Sequence, residues 1–415
     1  MTRTQPKLGR LGGLVLLATS LLGSSVFVVP VLGVQMAGSG ALVSWLLLIS
    51  FMLPMALVFG RLGRTYPHAG GVSHWVGRAL GPRAEWTIAL VLISVIPVGL
   101  PAALLLAMVF LKQLIPLPKP YDLLAQLSVF ACCYGLNRAG LKASAWVQTL
   151  IILGTLAFIC ALAIATPVSL AAGTPRFDGA DLGSVFQAAG LMLWCFLGLE
   201  IVANLAEEFK DPERDIPWVV FGGVMLAGIV YYLCSATVIA AGFEQVTAEA
   251  LILVAQAHFG PAGAIALSVF GFAACFASVN TYVNGFSRGL WSLADEGKLA
   301  RFLARRDSRE VPTGALNTIM LVCALCTLIF YLDWFDLPQL ILLANAHFVL
   351  VYLAAMISAV CLLRGSARLV AILGTMACLV GYASLGWAAV YGGIVLAVLA
   401  ILAPRGAVSA PAATG

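Results

Sequence analysis

The sequence predicts an all-α membrane protein of twelve transmembrane helices, and three observations carry that prediction. Of 415 residues, 62% are hydrophobic and only 10% charged, with a mean hydropathy of +1.03. That is too little polar surface to cover a water-soluble globule. Apolar stretches of about 20 residues, the length needed to cross a bilayer as a helix, recur from end to end. Two of these stretches are interrupted by small residues at positions that would correspond if the first ten formed two five-helix repeats.

In order, the spans fall at 11–35, 40–61, 83–111, 121–137, 142–166, 184–206, 216–243, 261–288, 313–332, 337–363, 367–384 and 386–403. Basic residues punctuate them. Arg61 and Arg64 close the second, Lys112 and Lys119 separate the third from the fourth, and Arg138 and Lys142 separate the fourth from the fifth. Arg176 precedes the sixth, Arg288 ends the eighth, Arg305 and Arg306 lie between the eighth and ninth, and Arg364 follows the tenth. Lys and Arg collect in short cytoplasmic loops. With the N-terminus inside, all 23 except Lys112, Lys119 and Arg176 are cytoplasmic, so both termini are expected in the cytoplasm. The net charge of +5 therefore reports topology and gives no reason to expect nucleic-acid binding. Residues 1–10 read as a cytoplasmic tail, 11–166 as a first five-helix repeat, 184–363 as a second, 367–403 as two further helices and 404–415 as a second tail. The first helix is expected to act as its own insertion signal.

The interruptions point to a site. The first span holds Gly23-Ser24-Ser25-Val26-Phe27 in mid-helix, followed by Pro30 and Gly33; the sixth holds Phe196-Leu197-Gly198-Leu199-Glu200. An odd number of helices per repeat makes the second repeat enter from the opposite side. Broken helices at corresponding places of inverted repeats mark a midplane binding site, where freed backbone N–H and C=O groups can hold a carboxylate and an ammonium. Taken alone, Gly23-Ser24-Ser25 reads as a small-residue packing surface. Paired with the second break, it reads as function. Glu200 has two open readings, a proton carrier or a carboxylate hydrogen-bonded within the bundle.

These residues resemble the amino acid–polyamine–organocation transporters. The first-helix motif of that family is matched by Gly23-Ser24-Ser25-Val26-Phe27, and its loop after helix two by Tyr66-Pro67-His68-Ala69-Gly70-Gly71-Val72. The sixth-helix pattern is matched by Trp194, Phe196, Gly198, Glu200, Ala206-Glu207-Glu208, Pro212, Arg214, Ile216 and Pro217. The loop after helix eight is matched by the run from Ser287 to Leu299 and by Val311-Pro312. Short length and minimal loops resemble, within the family, its bacterial exporters of L-methionine and branched-chain amino acids.

The resemblance implies two inverted five-helix repeats with helices 1 and 6 broken, two extra helices, and alternating access in a bacterial inner membrane. By position, Leu21, Gly23, Ser24 and Ser25 would hold the substrate's carboxylate and amino group. Trp194 would lie over the substrate as a gate, with Phe196, Leu197 and Gly198 beside it. Tyr282 would be a second gating aromatic, or alternatively a packed tyrosine.

The sequence restricts the substrate independently. Apart from Glu200, no Asp, Glu, Lys or Arg sits in the predicted middle of a span, which favours neutral side chains. Leu21, Val26, Ile96, Pro97, Leu100, Phe196, Leu197 and Leu199 would surround Met, Leu, Ile or Val with apolar groups, and such pockets separate apolar side chains by only about 1–3 kcal/mol per methylene. For coupling, Ser278 and Thr281 could supply sodium ligands, or bond to their own helix. A helix-five lysine is absent between Ala143 and Pro167. Glu200 is the leading proton carrier and His347, near Asn345, the weaker one. Efflux coupled to the proton gradient is the expected activity; uptake, exchange or a non-transporting sensor are the alternatives. Neither a ring of polar groups for a channel nor a catalytic cluster is visible, the four histidines being dispersed. Ten scattered cysteines show no metal-binding spacing and read as small packing residues, so neither cofactor nor metal is expected.

Overall fold

A computed structural model describes residues 9–23, 25–66, 71–140, 145–166, 174, 182–199, 209–332 and 335–404. Ser24, Glu200, Pro67 to Gly70 and Ala206 to Glu208, all singled out in the sequence, lie outside the described residues.

The described residues fold as helices: α1 (Arg10–Leu21), α2 (Val29–Ala37), α3 (Gly40–Thr65), α4 (Gly71–Leu80), α5 (Pro82–Ile93), α6 (Ile96–Leu114), α7 (Asp122–Arg138) and α8 (Ala145–Ala165). They continue as α9 (Leu182–Met192), α10 (Pro212–Ala241), α11 (Ala250–Asp295), α12 (Thr313–Phe330), α13 (Leu337–Leu362), α14 (Ser366–Ala383) and α15 (Trp387–Leu402). Seven helical stretches among the described residues are long and apolar enough to cross a membrane, and three shorter ones are apolar. The outer helices carry their apolar side chains outward, as at Ile164, Leu321, Leu369, Leu373, Val390 and Ile401. Lipid is the environment in which that surface is stable.

The chain is broken where the sequence predicts. The first span divides into α1 and α2, which begins with Pro30 near its N-terminus, where a missing N–H costs no helical hydrogen bond. The sixth runs from α9 into one turn of tighter helix, Leu193–Phe196, and ends in an extended Leu197 (ψ 140°) and Gly198 at φ 102°. Only glycine adopts that φ cheaply.

Three features differ from the sequence expectation. The third span is interrupted at Ser94 and Val95, so α5 and α6 are separate helices, with Pro97 at the start of the second. A short amphipathic helix, α4, precedes it and buries Val72, Trp75 and Val76. Trp75 donates from Nε1 to the Tyr66 carbonyl at 3.0 Å and meets Phe59 edge-on at 5.6 Å. The eighth span extends at both ends into α11, which bends at Gly260 (φ 66°) beside Pro261.

The end of the bundle that carries most basic residues is clamped by the chain between α11 and α12. Lys298 pairs with Glu85 (3.2 Å) and Glu296 (2.8 Å), and Trp86 donates to the Lys298 carbonyl at 3.2 Å. Although burial alone would lower it, the Lys298 pKa is raised by its hydrogen bond to Glu296 and the charge of Glu85. Arg138 pairs with Asp307, whose carboxylate also accepts the Arg309 and Val311 backbone N–H groups at 2.9 and 3.0 Å. Those donors, Val311 first, hold the Asp307 carboxyl below its ordinary value. The Arg306 guanidinium lies 3.5 Å from the Trp291 ring centre.

Candidate functional site

Each break frees backbone carbonyls that no residue of its own helix can satisfy. Two hydroxyls of α10, one turn apart and so on one face, reach carbonyls on either side of the first break, Leu21 O at the end of α1 and Pro30 O in the first turn of α2. The Tyr231 hydroxyl donates to Leu21 O at 2.5 Å, lies 2.9 Å from Ser25 Oγ, and reaches Cys195 O of the sixth-span break at 3.2 Å. Ser235 Oγ donates to Pro30 O at 3.1 Å while accepting from Trp45 Nε1 at 2.8 Å. Trp45 stacks flat on Tyr231, with ring centres 5.0 Å apart and planes 7° from parallel. A seventh-span tyrosine therefore joins both broken helices through one oxygen. The breaks also touch directly, where Ser20 Oγ approaches Gly198 O at 3.4 Å. A Cβ added at Gly198 would run into that hydroxyl.

Other polar side chains fix the approach to the second break. Asn345 of α13 donates to Gly190 O at 2.8 Å and to Leu191 O at 3.0 Å, and Ser44 of α3 donates to Val185 O at 2.8 Å.

Beside the crossing of the two breaks lies a cavity with about 450 Å³ of empty space, its mouth included. Ser20, Leu21 and Ser25 line it from the first break, and Trp194 and Leu197 from the second. Val95, Gly99, Leu100 and Ala103 face it around the start of α6, Ser278, Tyr282 and Phe286 from α11, and Phe348 from α13. No charged side chain is among these residues. The polar groups available are hydroxyls and the backbone at the breaks, enough to hold a zwitterionic headgroup. The rest of the wall is aliphatic or aromatic.

Of the residues expected from sequence, Leu21, Ser25, Trp194, Leu197 and Tyr282 are thus brought together around one cavity. Gly23 lies in the turn between α1 and α2 but is not among the lining residues, and Gly198 provides the turn beyond Leu197. Phe196 points away from the cavity into the stack, 6.4 Å from Trp45 and 6.1 Å from Tyr231. Leu100 lines the cavity, whereas Ile96 is buried elsewhere, its place taken by Val95 and Gly99. Ser278 lines it too, but Thr281 Oγ1 donates to Ala277 O at 2.8 Å, within its own helix. His347 is buried against Tyr391, with ring centres 5.3 Å apart, and its Nδ1 lies 2.8 Å from Leu343 O. It does not line the cavity. Among the described residues no three His, Cys, Asp or Glu side chains gather as a metal site would require. Sequence reasoning missed Tyr231 and Ser235, although two hydroxyls four residues apart in an apolar span were the available signal. It also missed Phe286 and Phe348.

Residues 8–413 match a family model described as amino acid permease. The chain is 39% identical over 409 residues to the L-methionine/branched-chain amino acid exporter YjeH of Escherichia coli (strain K12), covering 98% of both chains. It is 24% identical over 347 residues to a cadaverine/lysine antiporter of the same organism, covering 78% of this chain and 75% of the relative. Among solved structures, MhsT in complex with L-phenylalanine superposes with a TM-score of 0.64 at 13% identity, covering 97% of this chain and all of the other. That similarity concerns the fold.

Proposed function

The chain belongs to the amino acid permease family, a family of multi-pass membrane transporters rather than enzymes, and from that premise we propose that it is a secondary active transporter of neutral, apolar amino acids. Methionine, leucine, isoleucine and valine are the substrates, moved by alternating access between two inverted repeats, 11–166 and 184–363, in a bacterial inner membrane.

The observation that carries this reading is the cavity beside the crossing of the two helix breaks, with no charged side chain among the described residues that line it. A substrate's carboxylate and ammonium are held by break backbone and by the hydroxyls of Ser20 and Ser25, together with backbone at Gly23 and the side chain of Ser24. Its side chain lies against Leu100, Ala103, Phe286 and Phe348. An anionic side chain would have to leave water without a counter-ion and a cationic one would have Glu200 alone to pair with, and burying an unpaired charge costs far more than any apolar contact returns. Trp194 and Tyr282 close over the bound molecule as gates. The exporter named among the relatives supports this substrate class and supports efflux as the direction.

Coupling is to protons, through Glu200, the sole Asp, Glu, Lys or Arg in the predicted middle of a span. It carries a proton one way as the amino acid moves the other. Both termini and the basic loops lie in the cytoplasm, a placement that the distribution of Lys and Arg supports.

The test is counterflow and gradient-driven transport in proteoliposomes with a panel of labelled amino acids. Methionine, leucine, isoleucine and valine should be accumulated, and lysine and glutamate should not. A protein that binds but never accumulates label would be a sensor with the same fold. In Glu200→Gln, always neutral, exchange should persist while dependence on the pH gradient disappears. Wild-type gradient dependence in that variant would remove Glu200 from coupling.

A further inference from the structure

A second cavity lies at the basic end of the bundle, apart from the substrate site. It has about 740 Å³ of empty space, its opening included, and sits among the ends of α3, α10 and α14. Helices α10 and α14 both pack on α3, which forms the back of the groove.

Its lining is layered. Leu57 and Val58 on α3, Val220 on α10 and Val370 on α14 lie on the side of the membrane interior. Nearer the helix ends the lining brings in Arg61 and Arg64 of α3 and Ser366, the first residue of α14, beside the apolar Ile216 and Pro217 of α10 and Ala367 of α14. Arg61 is exposed and Arg64 half-buried. Ser366 follows Gly365, which gives α14 no side-chain cap, so the first N–H groups of that helix are directed towards the same rim.

We propose that this groove binds one anionic glycerophospholipid of the surrounding bilayer. The phosphate lies between Arg61, Arg64 and the start of α14, and an acyl chain runs down the wall of Leu57, Val58, Val220 and Val370. Charge complementarity and the change from basic to apolar within two helical turns are what a lipid's own headgroup-to-chain order demands. Basic pockets between helices at this depth take anionic headgroups in general, each Lys or Arg near the surface adding about fivefold in preference. A soluble anion would match the rim and leave the apolar depth unused.

The test uses the whole purified protein in nanodiscs containing phosphatidylcholine and phosphatidylglycerol in equal amounts, with co-released lipid counted by native mass spectrometry. Wild type should retain phosphatidylglycerol selectively. Arg61→Gln should reduce that selectivity about fivefold, and the double variant Arg61→Gln/Arg64→Gln should abolish it, with amino-acid transport retained. Val370→Trp, which fills the apolar depth and keeps both arginines, should also lower retention, and millimolar inorganic phosphate should leave the wild type unaffected. Equal retention of the two lipids by the wild type, or undiminished selectivity in the folded double variant, would overturn the proposal. Displacement by inorganic phosphate would reassign the rim to a free anion and overturn it equally.

Discussion

Tyr231 concentrates more of the site's architecture in one atom than any other side chain described. Its hydroxyl joins Leu21 O, Ser25 Oγ and Cys195 O, while its ring is held by Trp45. Tyr231→Phe keeps the stack and removes the oxygen, leaving a buried carbonyl without its donor at a cost of about 1–3 kcal/mol. The expected result is a lowered thermal midpoint in detergent together with weakened methionine binding, because the two breaks lose their common tether. An unchanged midpoint would mean that water or Ser25 replaces the phenol. Trp194→Ala should behave in the opposite way. Its ring borders the cavity, so counterflow should fall sharply while the thermal midpoint stays near wild type, and normal transport by a well-folded Trp194→Ala protein would exclude it as a gate.

At the scale of elements, the sequence located the spans and both breaks because length of apolar run and small-residue interruptions are local properties. The interruption at Ser94 and Val95 escaped notice because neither residue is a helix breaker. Helix α4 escaped because four buried residues in ten, one of them a glycine, make a weak pattern against its polar face. For the site, Leu21, Ser25, Trp194 and Leu197 were legible from the breaks they flank. Phe286 and Phe348 were not, since an aromatic in an apolar span reads the same whether it faces lipid, core or cavity until the helices are packed. The clamp between α11 and α12 supplies a test of its own. The Asp307 carboxyl is held below its ordinary value chiefly by the Val311 N–H, so its contribution is present at neutral pH and fades only as pH falls below the ordinary carboxylate range through the lowered native value. Asp307→Asn should imitate that loss at neutral pH, seen as faster amide exchange at Arg309 and Val311 with other regions unaffected. Unchanged exchange there would show that Arg138 is not needed to order the loop.

For the whole molecule, the absence of any charged side chain among the described residues lining the cavity at the breaks has an electrical consequence. A zwitterionic amino acid crossing the membrane carries no net charge, and the described residues around the cavity add none. In the proposed cycle every elementary charge displaced per turnover therefore belongs to the coupled proton and its carrier, and a current recording becomes a counter for it. Exchange of labelled for unlabelled methionine on a solid-supported membrane should be electrically silent. Methionine efflux driven by a pH gradient should move one charge per molecule if a single proton returns, making the rate responsive to voltage at about 2.3 kcal/mol per 100 mV. A steady current during pure exchange would mean that charge leaks through the pathway without substrate, whereas a silent gradient-driven cycle would mean that no ion is exchanged at all.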